Sequence, residues 1–417
     1  MRKRIWMLLL LATQVTGSAL ADDADALLLA DQAPSRTAVA SDWHWFAEGA
    51  LSQFALRDGG ATASSQRLSL DVQLDKSLAP GWRAVLADRL DLNRQGQIGA
   101  PDSINTLREA YLSWQAQDNR IIDLGRINAR YGVAIGYNPT DYFRTGALRS
   151  VVSVDPASLK KNRLGSAMLR GQTLWSGGSL TGLVSPKLTQ QRSDTTFSPD
   201  FGATNNQNRW LLAASQQLSD GIQPQWLMYG EQGQSPQLGF NLTGLLNDAT
   251  VGYVEWSGGR SRSQLLQALN GADDTAFRNR LSTGLTYTSA DKISLTLEYD
   301  YNGAALDQAG WNALSSGSPG SYRQYRMWLQ NAQEMPTRQA LFLYANWQDA
   351  MINHLDFSAM LRFNAADHSR LSWLEARYHW DKADLALQWQ INSGNAGSEF
   401  GAVPQQRVLE LLLRYFF

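Results

Sequence analysis

Three features of the sequence predict an all-β fold, an up-and-down antiparallel β-barrel that crosses a membrane. These are long segments with dyad alternation, aromatic residues at their ends, and connections that alternate between short and long. Ile293, Leu295, Leu297, Tyr299 and Tyr301 alternate with Ser294, Thr296, Glu298 and Asp300. The same pattern recurs over 67–75, 355–364 and 384–392. Period two places apolar residues on one face of a strand and polar residues on the other. A soluble sandwich alternates as well, so length matters: segments of about ten residues suit a tilted membrane strand, whereas soluble strands average about five or six. Trp82, Trp114, Tyr301, Trp347, Trp380 and Tyr415 stand at or near segment ends, where a barrel carries its aromatic girdles. The polar faces hold charges that a sealed core would not tolerate and a wet lumen does.

Taken in order, the chain opens on Arg2, Lys3 and Arg4, continues through an apolar run over 5–12, and reaches Ala19-Leu20-Ala21. These are the three zones of a secretory signal, cleaved after Ala21. The apolar run is too short to span a bilayer, which needs about 20 residues. We expect a signal peptide over 1–21, a short periplasmic tail over 22–41 and a barrel over 42–417. Strands are expected at 43–55, 66–75, 82–92, 107–116, 120–126, 163–175, 179–187, 207–218 and 222–231. The second half follows at 236–246, 249–258, 279–288, 292–302, 338–348, 353–364, 370–380, 383–393 and 407–417. That makes eighteen, with sixteen the next alternative.

Every even-numbered connection is short, as at 76–81, 176–178, 219–221, 289–291 and 381–382. The long ones, at 93–106, 127–162, 188–206, 259–278, 303–337 and 394–406, are all odd-numbered, although the odd connections at 232–235 and 365–369 are short. Short periplasmic turns and longer external loops are the asymmetry of bacterial outer-membrane barrels, and a sandwich has no reason to sort its loops by parity. The final strand alternates Leu409, Leu411, Leu413, Tyr415 and Phe417 with polar partners. It is similar to the terminal strand that the barrel-assembly machinery reads, with Tyr415 and Phe417 as the signal.

Composition narrows the function. With no cysteine, the chain has no thiolate metal site and no lipoprotein anchor. Loss of the signal removes three of 37 basic residues, leaving 34 against 38 acidic, a net charge near −4. That balance argues against a nucleic-acid partner. No stretch after the signal reaches the length of a membrane helix, and only a closed barrel otherwise satisfies every backbone group in lipid.

The four histidines, His44, His354, His368 and His379, accompany no Gly-x-Ser-x-Gly elbow and no His-Glu-x-x-His motif, so neither catalysis nor a metal or other cofactor is expected. The segment 120–170 carries nine basic residues, including Arg126, Arg130 and Arg144, against Asp123, Asp141 and Asp155. Arginine offers a fixed fork of donors to carboxylates, sulfates and phosphates. Two readings stay open: the 127–162 loop folds inward and its arginines line an anion-favouring constriction, or it lies outside and pairs with lipopolysaccharide phosphates or its own aspartates. Strand faces add Arg67, Arg89, Arg362, Glu298, Asp300 and Glu375 as candidate lumen contacts.

Leu107-Arg108-Glu109-Ala110-Tyr111-Leu112, Leu124-Gly125-Arg126, Tyr131-Gly132 and Asn138-Pro139-Thr140-Asp141-Tyr142 together resemble motifs of large porin-like barrels of proteobacteria. The likeness covers about 105–190, and Tyr131 stands where tryptophan or phenylalanine is often found. It implies a porin-like channel, with an export-system partner as a further implication. Beside it, Asn138 and Pro139 favour a turn, and Asp141 is placed to cap a short helix or tie the loop to the wall. The expected function is passive diffusion of small hydrophilic solutes, with a lean towards anions. The alternative is an accessory barrel for export of a lipid or polysaccharide.

Overall fold

The computed structural model describes residues 41–57, 62–94 and 102–417; the expected signal peptide and the tail up to residue 40 lie outside the described residues. Eighteen strands form one sheet. The first nine are β1 (Trp43–Leu56), β2 (Thr62–Ala79), β3 (Trp82–Arg94), β4 (Ser103–Gln117), β5 (Arg120–Ile127), β6 (Ser166–Trp175), β7 (Gly178–Ser185), β8 (Arg209–Gln216) and β9 (Ile222–Glu231). The rest are β10 (Gln237–Asn247), β11 (Thr250–Ser261), β12 (Ala276–Thr288), β13 (Ile293–Asn302), β14 (Gln339–Trp347), β15 (Leu355–Asn364), β16 (Arg370–His379), β17 (Ala383–Ser393) and β18 (Gln405–Phe416). Each strand pairs antiparallel with its sequence neighbours, and β18 pairs with β1 from Phe46 opposite Phe416 to Leu56 opposite Gln405. The sheet therefore closes and has no edge, as lipid demands.

The alternation sorts as expected. On β18, Leu409, Leu411, Leu413, Tyr415 and Phe417 are exposed on the outer face, while Leu412 is buried on the inner face with Glu410 and Arg414. A surface apolar outside and polar inside suits a wall between lipid and water. Aromatic pairs mark the end with the short turns: Trp45 stacks on Phe417 at 3.8 Å, and Trp82 on Trp114 at 5.6 Å.

Several boundaries differ from the sequence expectation, among them the start of β2 at Thr62 rather than 66 and of β6 at Ser166 rather than 163. Residues 76–79, read as part of a turn, belong to β2, and β4 begins at Ser103 rather than 107. At these strand ends the dyad pattern fades, but the backbone ladder continues. β5 is the reverse case, only 8 residues long, so β4 above Ala110 lacks a strand partner on that side. The β7–β8 loop fills the place: the Asn105 N–H donates to the Thr196 carbonyl at 3.2 Å. Arg149 stitches the patch by donating to the carbonyls of Asn105 (2.8 Å), Thr195 (3.1 Å) and Ser193 (3.2 Å).

Among the described residues the long loops carry five helices: α1 (Pro156–Lys161), α2 (Phe201–Thr204), α3 (Gln264–Ala268), α4 (Gln308–Ser316) and α5 (Pro319–Ala332). Asp155 caps α1 by accepting the Ser158 N–H at 2.8 Å, with Pro156 at the first helical position. The apolar cores lie where loops meet wall. Ile127, Phe143, Leu183, Leu211 and Tyr229 form one, and Ala268, Trp311, Leu314, Tyr325 and Leu329 join α3, α4 and α5 in another.

Candidate functional site

The β5–β6 loop, residues 128–165, leaves the wall at β5 and makes its main contacts on β11, β13 and β15. β13 is eight strands on from β5 in a ring of eighteen, so the loop crosses the lumen. Of the two readings of this loop, the inward fold is the one observed.

Its far anchorage rests on two inward-facing glutamates, both fully buried. Glu255 on β11 accepts the N–H groups of Val133 (2.8 Å), Ala134 (3.0 Å) and Thr140 (2.8 Å), with Asn138 Nδ2 at 3.1 Å and Thr140 Oγ1 at 2.9 Å. Glu298 on β13 accepts the N–H groups of Ile135 (2.8 Å), Gly136 (2.9 Å) and Tyr137 (3.0 Å), and the Tyr253 hydroxyl at 2.6 Å. Ser282 Oγ lies 2.7 Å from both the Tyr137 carbonyl and Asp300 Oδ1, and Arg362 donates to the Gly136 carbonyl at 3.3 Å.

A second latch joins this loop to the β13–β14 loop. Arg144 Nη2 lies 2.6 Å from Glu334 Oε1, and Glu334 also accepts from the Tyr137 hydroxyl and Asn302 Nδ2, each at 2.8 Å. Burial pushes the Glu334 pKa up, but the Arg144 and Arg280 guanidinium groups outweigh it and hold the carboxyl below its ordinary value. Within the loop, Asp141 pairs with Arg163 at 2.6 Å. Asp141 therefore braces the loop internally instead of capping a helix; Asp155 has the capping role. Asn138 and the buried Pro139 form the bend between the two carboxylate contacts.

Lys160 donates to the Ala134 carbonyl at 2.8 Å; burial lowers its pKa, with Glu255 and Asp141 opposing. Lys161, at the end of α1, is exposed to lumen water. Enclosure by the surrounding protein pulls its ammonium pKa down to about 8, with Asp71 opposing and Arg108, Arg414 and Arg130 adding to the fall. Beside the loop is a cavity of about 280 Å³, where Lys160, Arg326 and Arg362 face Glu334 and Glu399 over an apolar floor that includes Trp311.

The other candidate residues fall in separate places. Arg67 and Arg89 belong to a buried network on β18 and β1–β4: Glu48 lies 2.8 Å from Arg89, 2.8 Å from Arg414 and 3.2 Å from Arg67. In the same network Asp71 pairs with Arg108 at 2.7 Å. Glu375 pairs with Arg377 at 2.9 Å, near His379, whose ring nitrogens face Asp384 (2.9 Å) and Asp356 (3.2 Å). Arg126 is buried under the β7–β8 loop, donating to the Pro199 carbonyl with its guanidinium 4.7 Å from the Phe201 ring centroid. Arg130 is half-buried on the crossing loop. Tyr415 and Phe417 point outward and pack edge to face at 5.0 Å.

Sequence reasoning passed over Glu255 and Glu334, while Lys161 was one of the nine basic residues it noted over 120–170. Glu255 was findable as the polar member between Val254 and Trp256 in an alternating strand. Glu334 stands in a loop with no periodicity, so no local signal marks it.

No protein-family model matches the chain, and no curated protein matches it in sequence. Solved structures do. OccAB1 of Acinetobacter baumannii superposes with a TM-score of 0.58 at 11% identity, covering 90% of this chain and 96% of that one. A BenF-like porin from Pseudomonas fluorescens Pf-5 gives 0.56 at 10% identity, over 90% and 98%. The outer membrane protein OpdK from Pseudomonas aeruginosa gives 0.53 at 8% identity, over 90% and 99%. The chain shares the fold of these porin-like barrels, a closed antiparallel β-barrel.

Proposed function

We propose that this barrel is a channel for passive diffusion of small hydrophilic solutes, favouring anions. The observation that carries the reading is how the charges are used where the crossing loop narrows the lumen. Glu255 and Glu298 give their oxygens to loop amides, and Glu334 gives its own to Arg144 and the donors around it. Lys161, in contrast, faces open water. Lys161 thus offers a cation where Glu255, Glu298 and Glu334 are already engaged, and in a confined lumen such an arrangement favours anions. An entering anion would meet Arg326, Arg362 and Lys160 around the 280 Å³ cavity and then pass Lys161. Arg130 and Arg144 act through the field and the shape of the loop, and Arg67, Arg89, Asp300 and Glu375 line the remaining wall.

Partners follow from the same reading. Membrane lipids cover the outward apolar belt, lipopolysaccharide meets the rim with the long loops, and Tyr415 and Phe417 serve the barrel-assembly machinery. Single-channel recording of the mature chain in a planar bilayer under a salt gradient tests the proposal. Open steps with an anion-selective reversal potential support it. Silence from a folded barrel would overturn it and move the reading to an accessory barrel for export, closed until an export-system partner docks.

A further inference from the structure

We infer that Glu255 and Glu298 are positioning residues that set the width of the channel by cradling the backbone of residues 132–140. This rests on the channel reading but concerns a different thing, which is what decides where the crossing loop stops. Their place on alternating strand faces suggests contact with solute, but the geometry gives their oxygens to the loop. Together the two carboxylates accept six backbone N–H groups, those of residues 133–137 and 140. Hydrogen bonds to an ionised acceptor are roughly twice as strong as neutral ones. The recognised groups are amides, so the cradle depends on how closely the backbone can approach the two carboxylates.

Two glycines permit that approach. A Cβ on Gly136 would lie 2.6 Å from Phe342 Cγ and 2.9 Å from Glu298 Oε1. A Cβ on Gly132, whose φ is +106°, would lie 2.6 Å from both Glu255 carboxylate oxygens. Neither has room for a side chain without moving the loop off its anchor. The Tyr131-Gly132 and Asn138-Pro139 motifs thus bracket a segment built to fit two fixed acceptors on the opposite wall.

Charge and position can be separated, because Gly136→Ala displaces the loop without altering charge. Glu298→Gln removes charge at nearly constant shape, and Glu298→Asp keeps charge but shortens the reach. We expect all three to raise single-channel conductance in the same direction, by about twofold, with noisier open levels. Amide hydrogen exchange of the folded barrel should speed up for 133–137 in each variant and stay unchanged in β1–β4. If Gly136→Ala and Glu298→Asp match the wild type and only Glu298→Gln changes ion preference, Glu298 acts through its charge and the inference fails. Unchanged exchange at 133–137 in all three variants also overturns it. A silent wild-type channel with faster exchange in the variants would sink the proposed function while leaving the cradle standing.

Discussion

The two sides of the lumen use the same raw material differently. On β18 and β1–β4, inward carboxylates meet inward arginines: Glu48 sits among Arg67, Arg89 and Arg414, and Asp71 faces Arg108. On β11–β13, the inward carboxylates Glu255 and Glu298 meet loop amides. The first arrangement neutralises and stiffens the wall; the second turns the wall into a socket. An inward glutamate on a barrel strand therefore has no fixed role. Its role is decided by which donor reaches it first, a neighbouring strand or a loop from across the ring.

Removing the centre of the charged network should have the largest effect on the fold. Glu48→Ala leaves three guanidinium groups facing one another with less compensation, and stranding a buried charge typically costs about 3–5 kcal/mol. Denaturant unfolding of the refolded barrel, followed by heat-modifiable mobility on gels, should show that loss. The equivalent removal on the socket side, Glu298→Gln, should cost clearly less, since amides freed from the cradle can turn to lumen water. Equal losses would mean that the two sides do not differ in this way.

The latch between the two inward loops should come next. Glu334→Gln loses the ion pair to Arg144, and we expect more frequent partial closures in single-channel traces. The sign with pH is definite. A carboxyl held below its ordinary 4.5 contributes when ionised, and that contribution is lost only as pH falls through the lowered value. Recordings at pH 7 and pH 5 should therefore show the same latch behaviour, and new flicker at pH 5 would contradict the assignment.

A smaller effect is expected at Lys161. Its ammonium titrates at about 8, so its charge is present below that pH and lost as pH rises through it. Anion preference should decline between pH 7 and pH 9 in the wild type, and Lys161→Ala should flatten that decline. A wild-type reversal potential that does not move over this range would remove Lys161 from the selectivity argument. The smallest effect lies on the outer face. Trp45→Ala loses the stack on Phe417, worth about 0.5–1.5 kcal/mol beyond area burial, and should lower the unfolding midpoint slightly without changing conductance.

The fold was largely legible in the sequence. Eighteen segments were countable because each strand crosses from water through lipid to water, and that passage imprints period two on its side chains and aromatics on its ends. The loop parity followed from the same geometry. Less legible were strand ends outside the belt, as at 76–79 and 103–106, where pairing persists without a hydrophobic signature. The candidate residues show the same division. Arg67, Arg89, Glu298, Asp300, Arg362 and Glu375 could be assigned to an inward face from alternation alone, but alternation says nothing about what stands opposite them.

What the chain determined by itself is thus the barrel, its inner and outer faces, and the unusual length and charge of the loop after β5. What only the tertiary structure decided is the use of those charges. Glu255 and Glu298 are more than a hundred residues from the amides they hold, and Glu334 is 190 residues from Arg144. Such pairings arise when an irregular loop folds across a closed ring. A loop without periodicity carries no local record of where it lands, so its partners exist only once the ring has closed around it.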